Sequence, residues 1–247
     1  MNAPADAQLR LLELQALDSA LDRLAHRRRS LPELASIDEL RIRLGRLRDE
    51  IVVAETEDRD LGREQNRIDA DVDVVRQRMA RDQQRLDTGA VNSPKELENL
   101  SSEIGSLHRR QADLEDAELA VMEQRETLQR QLAALVAERD GLGVELAAAE
   151  QRRDSAFAEI DADAASTTEQ RAKIAAELAE DLLALYERIR ASSGGVGAAA
   201  LAKGRCEGCH LQMTPVDLSS ARAAPPDEVL RCEECRRILV RTGESGL

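Results

Sequence analysis

Apolar residues return at alternating steps of three and four over much of the chain. From Ile37 the positions are Ile37, Leu40, Leu44, Leu47, Ile51, Ala54, Asp58, Leu61, Gln65, Ile68, Val72, Val75, Met79, Asp82 and Leu86, and only Asp58, Gln65 and Asp82 are polar. A second run begins at Leu97. Within it, Leu100, Leu107, Leu114, Val121, Leu128, Leu135, Leu142 and Ala149 place an apolar side chain at every seventh residue. A seven-residue repeat held this long keeps one seam facing a partner helix and predicts a left-handed coiled coil.

Between the runs lies the segment Asp87-Thr88-Gly89-Ala90-Val91-Asn92-Ser93-Pro94-Lys95-Glu96. Gly89 can adopt the positive φ that ends a helix. Ser93 suits an N-cap, Pro94 the first helical position, and Glu96 completes a capping box. Two helices joined by so short a loop fold back antiparallel. With the turn near residue 91, this register sets Asp58 across from Arg125 and Gln65 across from Glu118. A shared polar layer fixes alignment at some cost in stability.

A shorter stripe, Leu14, Leu17, Leu21, Leu24 and Leu31, marks a separate first helix that Pro32 breaks or kinks. Ile174, Leu178, Leu182, Leu185 and Ile189 form a last stripe. The first helix is expected to lie against the last, within one molecule or across a dimer. The fold class is mainly α: a long antiparallel coiled-coil helical hairpin, followed by a small module in which Cys206, Cys209, Cys232 and Cys235 fall in two CxxC pairs, the spacing of a four-cysteine zinc ribbon with short β-strands. The hairpin spans 1–190, with helices at about 5–30, 33–87 and 94–190 and a turn at 88–93. Ala-Ser-Ser-Gly-Gly-Val-Gly opens a flexible Gly/Ser linker over 191–198. The ribbon occupies 199–247, with Leu230-Arg231-Cys232 and Arg237-Ile238-Leu239-Val240-Arg241 as short strands around the second turn and a proline-punctuated loop between the two turns.

Composition changes the picture in one respect. Charged residues make up 34% of the chain, and the only aromatics are Phe157 and Tyr186. Such a chain fills long helices rather than a wide globular core. A net charge of −13 argues against whole-surface attraction to nucleic acid or to an acidic membrane. No apolar stretch is long enough to span a bilayer, and the N-terminal residues lack a secretory pattern, so a cytoplasmic location is expected.

The chemistry sits in four cysteines, Cys206, Cys209, Cys232 and Cys235, the only ones in the chain. Each CxxC puts two sulfurs on one tight turn, and two such turns close a four-sulfur site for one structural Zn2+. Two disulfides or a redox pair are the alternatives. His26, His108 and His210 read as solvated residues, and no nucleophile stands beside a base, so no enzyme and no small-molecule substrate are expected.

The motifs LLELQALDSALDRL, VNSPKELENLSSEI, GRCEGCHLQM and LRCEECRRILV resemble a bacterial family of C4-type zinc-ribbon proteins with an N-terminal coiled-coil hairpin. The likeness covers essentially the whole chain. It is most specific at Asn92, Lys95, Glu96 and Leu97 and at Arg237, Ile238 and Leu239. The resemblance implies a metal site at the same four cysteines. It also implies nucleic-acid-binding or regulatory roles, with some members similar to regulators of flagellar or type III secretion systems. Two positions depart from the family: Arg236 stands where glycine is usual, and Val240 where an aromatic is usual.

Two functional readings follow. In one, the ribbon binds RNA or DNA, with Lys203, Arg205, Arg231, Arg236, Arg237 and Arg241 as the contacting cations. Against it, residues 203–247 hold seven acids and seven Lys or Arg, and no aromatic to stack on a base. In the other, hairpin and ribbon form an adaptor for a protein partner, with oligomeric state open.

Overall fold

The computed structural model describes every residue except 92, so Asn92 lies outside the described residues. The helices are α1 (Ala5–Arg29), α2 (Pro32–Asp87), α3 (Pro94–Glu177), α4 (Glu180–Ser192) and α5 (Pro215–Ala223). The strands are β1 (Ala198–Ala202), β2 (Arg205–Cys206), β3 (Leu230–Arg231) and β4 (Ile238–Arg241). The chain divides into two compact units. One is Ser36–Glu150; the other joins Met1–Ala35 to Gln151–Leu247.

Ser36–Glu150 is the antiparallel hairpin that the heptads predict. Ile37, Leu40 and Leu47 of α2 pack on Leu142 and Ala149 of α3, and Ile68 and Val72 pack on Leu114. All eight residues of the column from Leu100 to Ala149 are buried or half-buried. Ion pairs cross the seam in the same sense, Arg41 with Glu150 at 2.6 Å and Arg76 with Glu115 at 2.7 Å. At the turn, Gly89 has φ 63° and Pro94 opens α3. The Ser93 carbonyl accepts from the N–H groups of Glu96 and Leu97.

The polar layer forms with one change of partner. Arg125 donates from Nε to Asp58 Oδ1 at 3.0 Å. Gln65, expected opposite Glu118, instead accepts from Arg125 Nη1 at 3.3 Å. One guanidinium carries enough donors to serve both acceptors. Gly62 leaves room for it, because a Cβ there would sit 3.4 Å from Arg125 Cζ.

The second unit is built on α1, α4 and the sheet. Ala3, Leu11, Leu14, Leu178, Leu182, Tyr186, Ile189, Ala198, Ile238 and Val240 share one core. Each leucine or isoleucine so enclosed contributes about 1.5–3 kcal/mol. The sheet order is β2-β1-β4-β3, with β1 parallel to β4 and the other pairs antiparallel. Residues 1–3 run beside the segment before β3: Val229 N–H donates to Met1 O, and Ala3 N–H to Asp227 O.

Three expectations need correction. The helix expected over 94–190 breaks at Leu178–Ala179, where Ala179 is extended with ψ 140°. The break lets Leu178, Leu182, Tyr186 and Ile189 all enter the core beside α1. The segment 191–198 is not a flexible linker. Its first residues finish α4, Gly197 is buried, and Ala198 begins β1. Gln15 explains the order: its Oε1 accepts from Gly197 N–H at 2.7 Å, and its Nε2 donates to Gly195 O at 2.9 Å. Finally, the expected loop between the knuckles contains α5, capped by Thr214 Oγ1, which accepts from Asp217 N–H.

Candidate metal centre

Two matching turns deliver the four sulfurs. The first follows β2, where His210 N–H donates to Cys206 O and Cys206 N–H donates to Leu211 O. The second follows β3, where Arg236 N–H donates to Cys232 O and Cys232 N–H donates to Arg237 O. In each turn the residue after the second cysteine is left-handed, His210 and Arg236 both at φ 63°. This explains the glycine that the resemblance implies at position 236: glycine reaches that region without a steric cost. Arg236 occupies it here and pairs outward with Glu233 at 3.2 Å.

The ligand atoms of Cys206, Cys209, Cys232 and Cys235 all lie within 4.8 Å of one another. Cys206 Sγ is 3.9 Å from Cys235 Sγ, and Cys209 Sγ is 3.9 Å from Cys232 Sγ. A disulfide needs about 2.05 Å, so the pairs are not bridged. Tetrahedral zinc with bonds of about 2.3 Å sets its sulfurs about 3.8 Å apart, which these separations match. Cys206 and Cys232 are buried; Cys209 and Cys235 are half-buried. Burial pushes the Cys206 thiol up to about 12, and it raises Cys232 as well. Burial acts on Cys235 too, but the Arg237 backbone N–H and the thiols of Cys232 and Cys209 outweigh it and bring that thiol down to about 7. Four thiolates gathered in this pocket need a cation. The four cysteines fit one structural Zn2+, a closed site that holds the ribbon together.

The six cations expected to contact nucleic acid divide into two groups. Arg237 turns inward, donating to the carbonyls of Val196 at 3.0 Å, Gly208 at 3.0 Å and Ser193 at 2.7 Å. It ties the first knuckle to the end of α4. Arg241 donates to the carbonyls of Ala224, Pro225, Pro226 and Glu228. It braces the loop between the knuckles. Lys203, Arg205, Arg231 and Arg236 are exposed. Arg205 pairs with Glu207 at 2.8 Å, and Arg231 Nε donates to Arg236 O. His210 is exposed, with Nδ1 3.8 Å from Glu207.

Sequence reasoning missed the polar residues that seat the ribbon. Asp18 is 2% exposed and accepts from Tyr186 Oη at 2.6 Å and from Arg171 Nε at 2.6 Å. Gln15 also accepts from Tyr186 Oη, at 3.2 Å. Gln8 donates to Ala3 O and Pro226 O. The signal was available: Gln8, Leu11, Gln15 and Asp18 fall on one face of α1, so polar residues interrupt its apolar stripe at helical spacing.

Hairpin and four-sulfur ribbon together define a class of coiled-coil zinc-ribbon proteins. Residues 14–194 match the CT398-like coiled coil hairpin domain, and residues 205–239 match the C4-type zinc ribbon domain. The chain belongs to the CT398-like hairpin family. It is 40% identical over 241 residues to Uncharacterized protein Rv2229c of Mycobacterium tuberculosis, covering 98% of each chain. A solved structure from Mycobacterium smegmatis superposes with a TM-score of 0.87 at 34% identity, covering 98% of this chain and 100% of that one. The structure of CT398 from Chlamydia trachomatis shares the fold, with a TM-score of 0.71 at 19% identity and coverage of 96% and 98%.

Proposed function

We propose that this chain is a non-enzymatic cytoplasmic adaptor that docks a partner protein on the solvent face of its hairpin, with the ribbon as a metal-stabilised structural module. One observation carries the reading. Ile42, Val53 and Val74 of α2 are 58%, 65% and 62% exposed. At about 100° per residue they fall within about 60° of one another on the face turned away from α3. They stand about 16 and 31 Å apart along the helix, so the surface they support is a lengthwise contact along the hairpin rather than a compact docking groove.

A ribbon that reads nucleic acid has weaker support. Arg237 and Arg241 face backbone carbonyls, and Arg205 and Arg236 face carboxylates of their own knuckles. The non-enzymatic reading is supported by four sulfurs that complete the metal's coordination and leave no position for a substrate. No helix among the described residues is long and apolar enough to cross a membrane.

The test is affinity capture with nuclease treatment, comparing the native chain with Val53→Glu/Val74→Glu. A protein retained by the native chain and lost with the double variant supports the adaptor. Retention unchanged in the variant, or abolished by nuclease, overturns it.

A further inference from the structure

The exposed valines of α2 stand in a row that carries mostly one sign of charge. Glu50, Val53, Glu57, Asp60 and Glu64 each lie one residue before a seam position of α2, so they follow the same alternating steps of three and four down one side of the helix. Ala117, Ala120, Gln124, Thr127 and Gln131 each lie one residue before a seam position of α3. In an antiparallel pair these two rows border the same flank, and the structure joins them. Glu57 lines a shallow hollow of about 520 Å³ together with Ala120, Gln124, Thr127 and Gln131 and with Leu61 and Leu128 of the seam. The ion pair of Arg43 with Glu138 crosses on this flank too, at 3.6 Å.

Over this stretch the α2 row holds four acids and the α3 row no charge. Asp60 and Glu64 pair with Arg63 and Arg67 of their own helix, exposed contacts that are worth little. Glu50 and Glu57 are exposed and have no ion pair among the described residues. Val53 stands between them, and Val74 continues the row three heptads further on, about 31 Å along the helix. The opposite flank mixes signs, with Arg59 and Arg76 among Glu55, Asp69 and Asp73.

We infer that the flank bordered by Glu50, Val53 and Glu57 seats a basic amphipathic helix of the partner protein, laid lengthwise along the hairpin. The inference rests on the adaptor reading and names the chemistry of its partner. The α3 row is short and uncharged, so a third helix can lie close to it without meeting a cation. Apolar residues at heptad spacing on that helix meet Val53 and Val74, and lysine or arginine beside them reaches Glu50 and Glu57. Complementary charge orients the helix and speeds its encounter. The same acids repel a phosphate backbone.

The experiment measures fluorescence anisotropy of a labelled helical peptide of about 21 residues, the length that spans Val53 to Val74, with the full zinc-loaded chain. The peptide carries leucine at its a and d positions and lysine on both sides of that stripe. It binds the native chain, and more weakly as salt rises from about 50 to 200 mM. Glu50→Gln/Glu57→Gln/Asp60→Asn weakens binding about tenfold. Glu55→Gln/Asp69→Asn/Asp73→Asn removes the same charge from the opposite flank and binds as the native chain does. Far-UV helicity and the thermal midpoint confirm that each variant is folded. Absence of binding at low salt overturns the inference, as does equal loss in the two triples or equal binding of the peptide with glutamate in place of lysine. A native dimer that the first triple dissociates, seen by sedimentation, also overturns it and makes a second copy of this chain the occupant. Failure of the adaptor reading is a separate result, read in the capture experiment. A captured protein that is lost with Val53→Glu/Val74→Glu but kept by the first triple leaves the adaptor standing and overturns the basic helix.

Discussion

Arg125 and Asp58 are 67 residues apart in sequence and meet across the hairpin with Nε 3.0 Å from Oδ1. Arg125, then Gln129, holds the Asp58 carboxyl below the usual carboxylate range. This pair is a register mark rather than a main source of stability. Arg125→Leu alone strands Asp58 beside the seam and lowers the denaturant midpoint. Asp58→Leu/Arg125→Leu recovers most of the loss, because leucine pairs suit heptad seams. Equilibrium unfolding of the three variants checks this. The folded pKa is depressed, so the pair's contribution is present above about pH 4 and is lost as pH falls through the lower folded value. The advantage of native over Arg125→Leu therefore narrows on acidification below about pH 4.

Much of this architecture is legible in the sequence, for identifiable reasons. Heptad spacing and CxxC spacing are local signals, and both reflect geometry that nothing distant overrides. Gly89 and Pro94 punctuate the turn in the same local way. What was not legible depends on tertiary contact. Leu178-Ala179-Glu180 contains no Gly or Pro, yet the helix breaks there so that α4 meets α1. Ala198–Ala202 is AAALA, a run with helical preference that pairs as a strand because β4 and the α1–α4 core hold it. Arg237 and Arg241 look like surface cations in sequence, and only the fold shows the carbonyls they meet.

Removing the metal should be felt beyond the sulfurs. Structural zinc contributes about 10–16 kcal/mol of apparent binding free energy at neutral pH, so chelation or Cys206→Ser unfolds the ribbon. Elemental analysis should fall from one zinc per chain toward none. Tyr186 is the only tyrosine and there is no tryptophan. Its ring lies in the core beside Ala198 and Ile238, so its ultraviolet spectrum should report exposure on chelation while helical circular dichroism largely persists.

Gly197→Ala should destabilise the junction without touching the metal. The added Cβ would lie 2.7 Å from Tyr186 O and 2.8 Å from the ring. Overpacking of this kind costs about 1–3 kcal/mol. Thermal unfolding should show the loss while zinc stoichiometry stays at one.

Tyr186 also sets an alkaline limit. Burial, then the bond to Asp18, raises its pKa above the ordinary tyrosine value. A raised folded pKa means that its contribution is complete below about pH 10 and declines as pH rises further, when the unfolded chain ionises first. Tyr186→Phe should cost about 1–2 kcal/mol at neutral pH by removing the hydroxyl donor from Asp18. It should also flatten the decline between about pH 10 and 11, as read by denaturant titration at each pH.

Arg236→Gly should be tolerated. It relieves a left-handed arginine at φ 63° and removes only an exposed ion pair with Glu233. Ribbon stability should rise by up to about 1 kcal/mol with metal content unchanged.

The hydrogen bonds from Gln15 to residues 195–198 decide where this protein can be dissected. A truncation at 190, the boundary that the glycines invite, would strip the cover from Leu11, Leu14 and Tyr186 and yield a fragment prone to aggregate. A hairpin excised as Ser36–Glu150 keeps its own seam intact and is the piece to express alone.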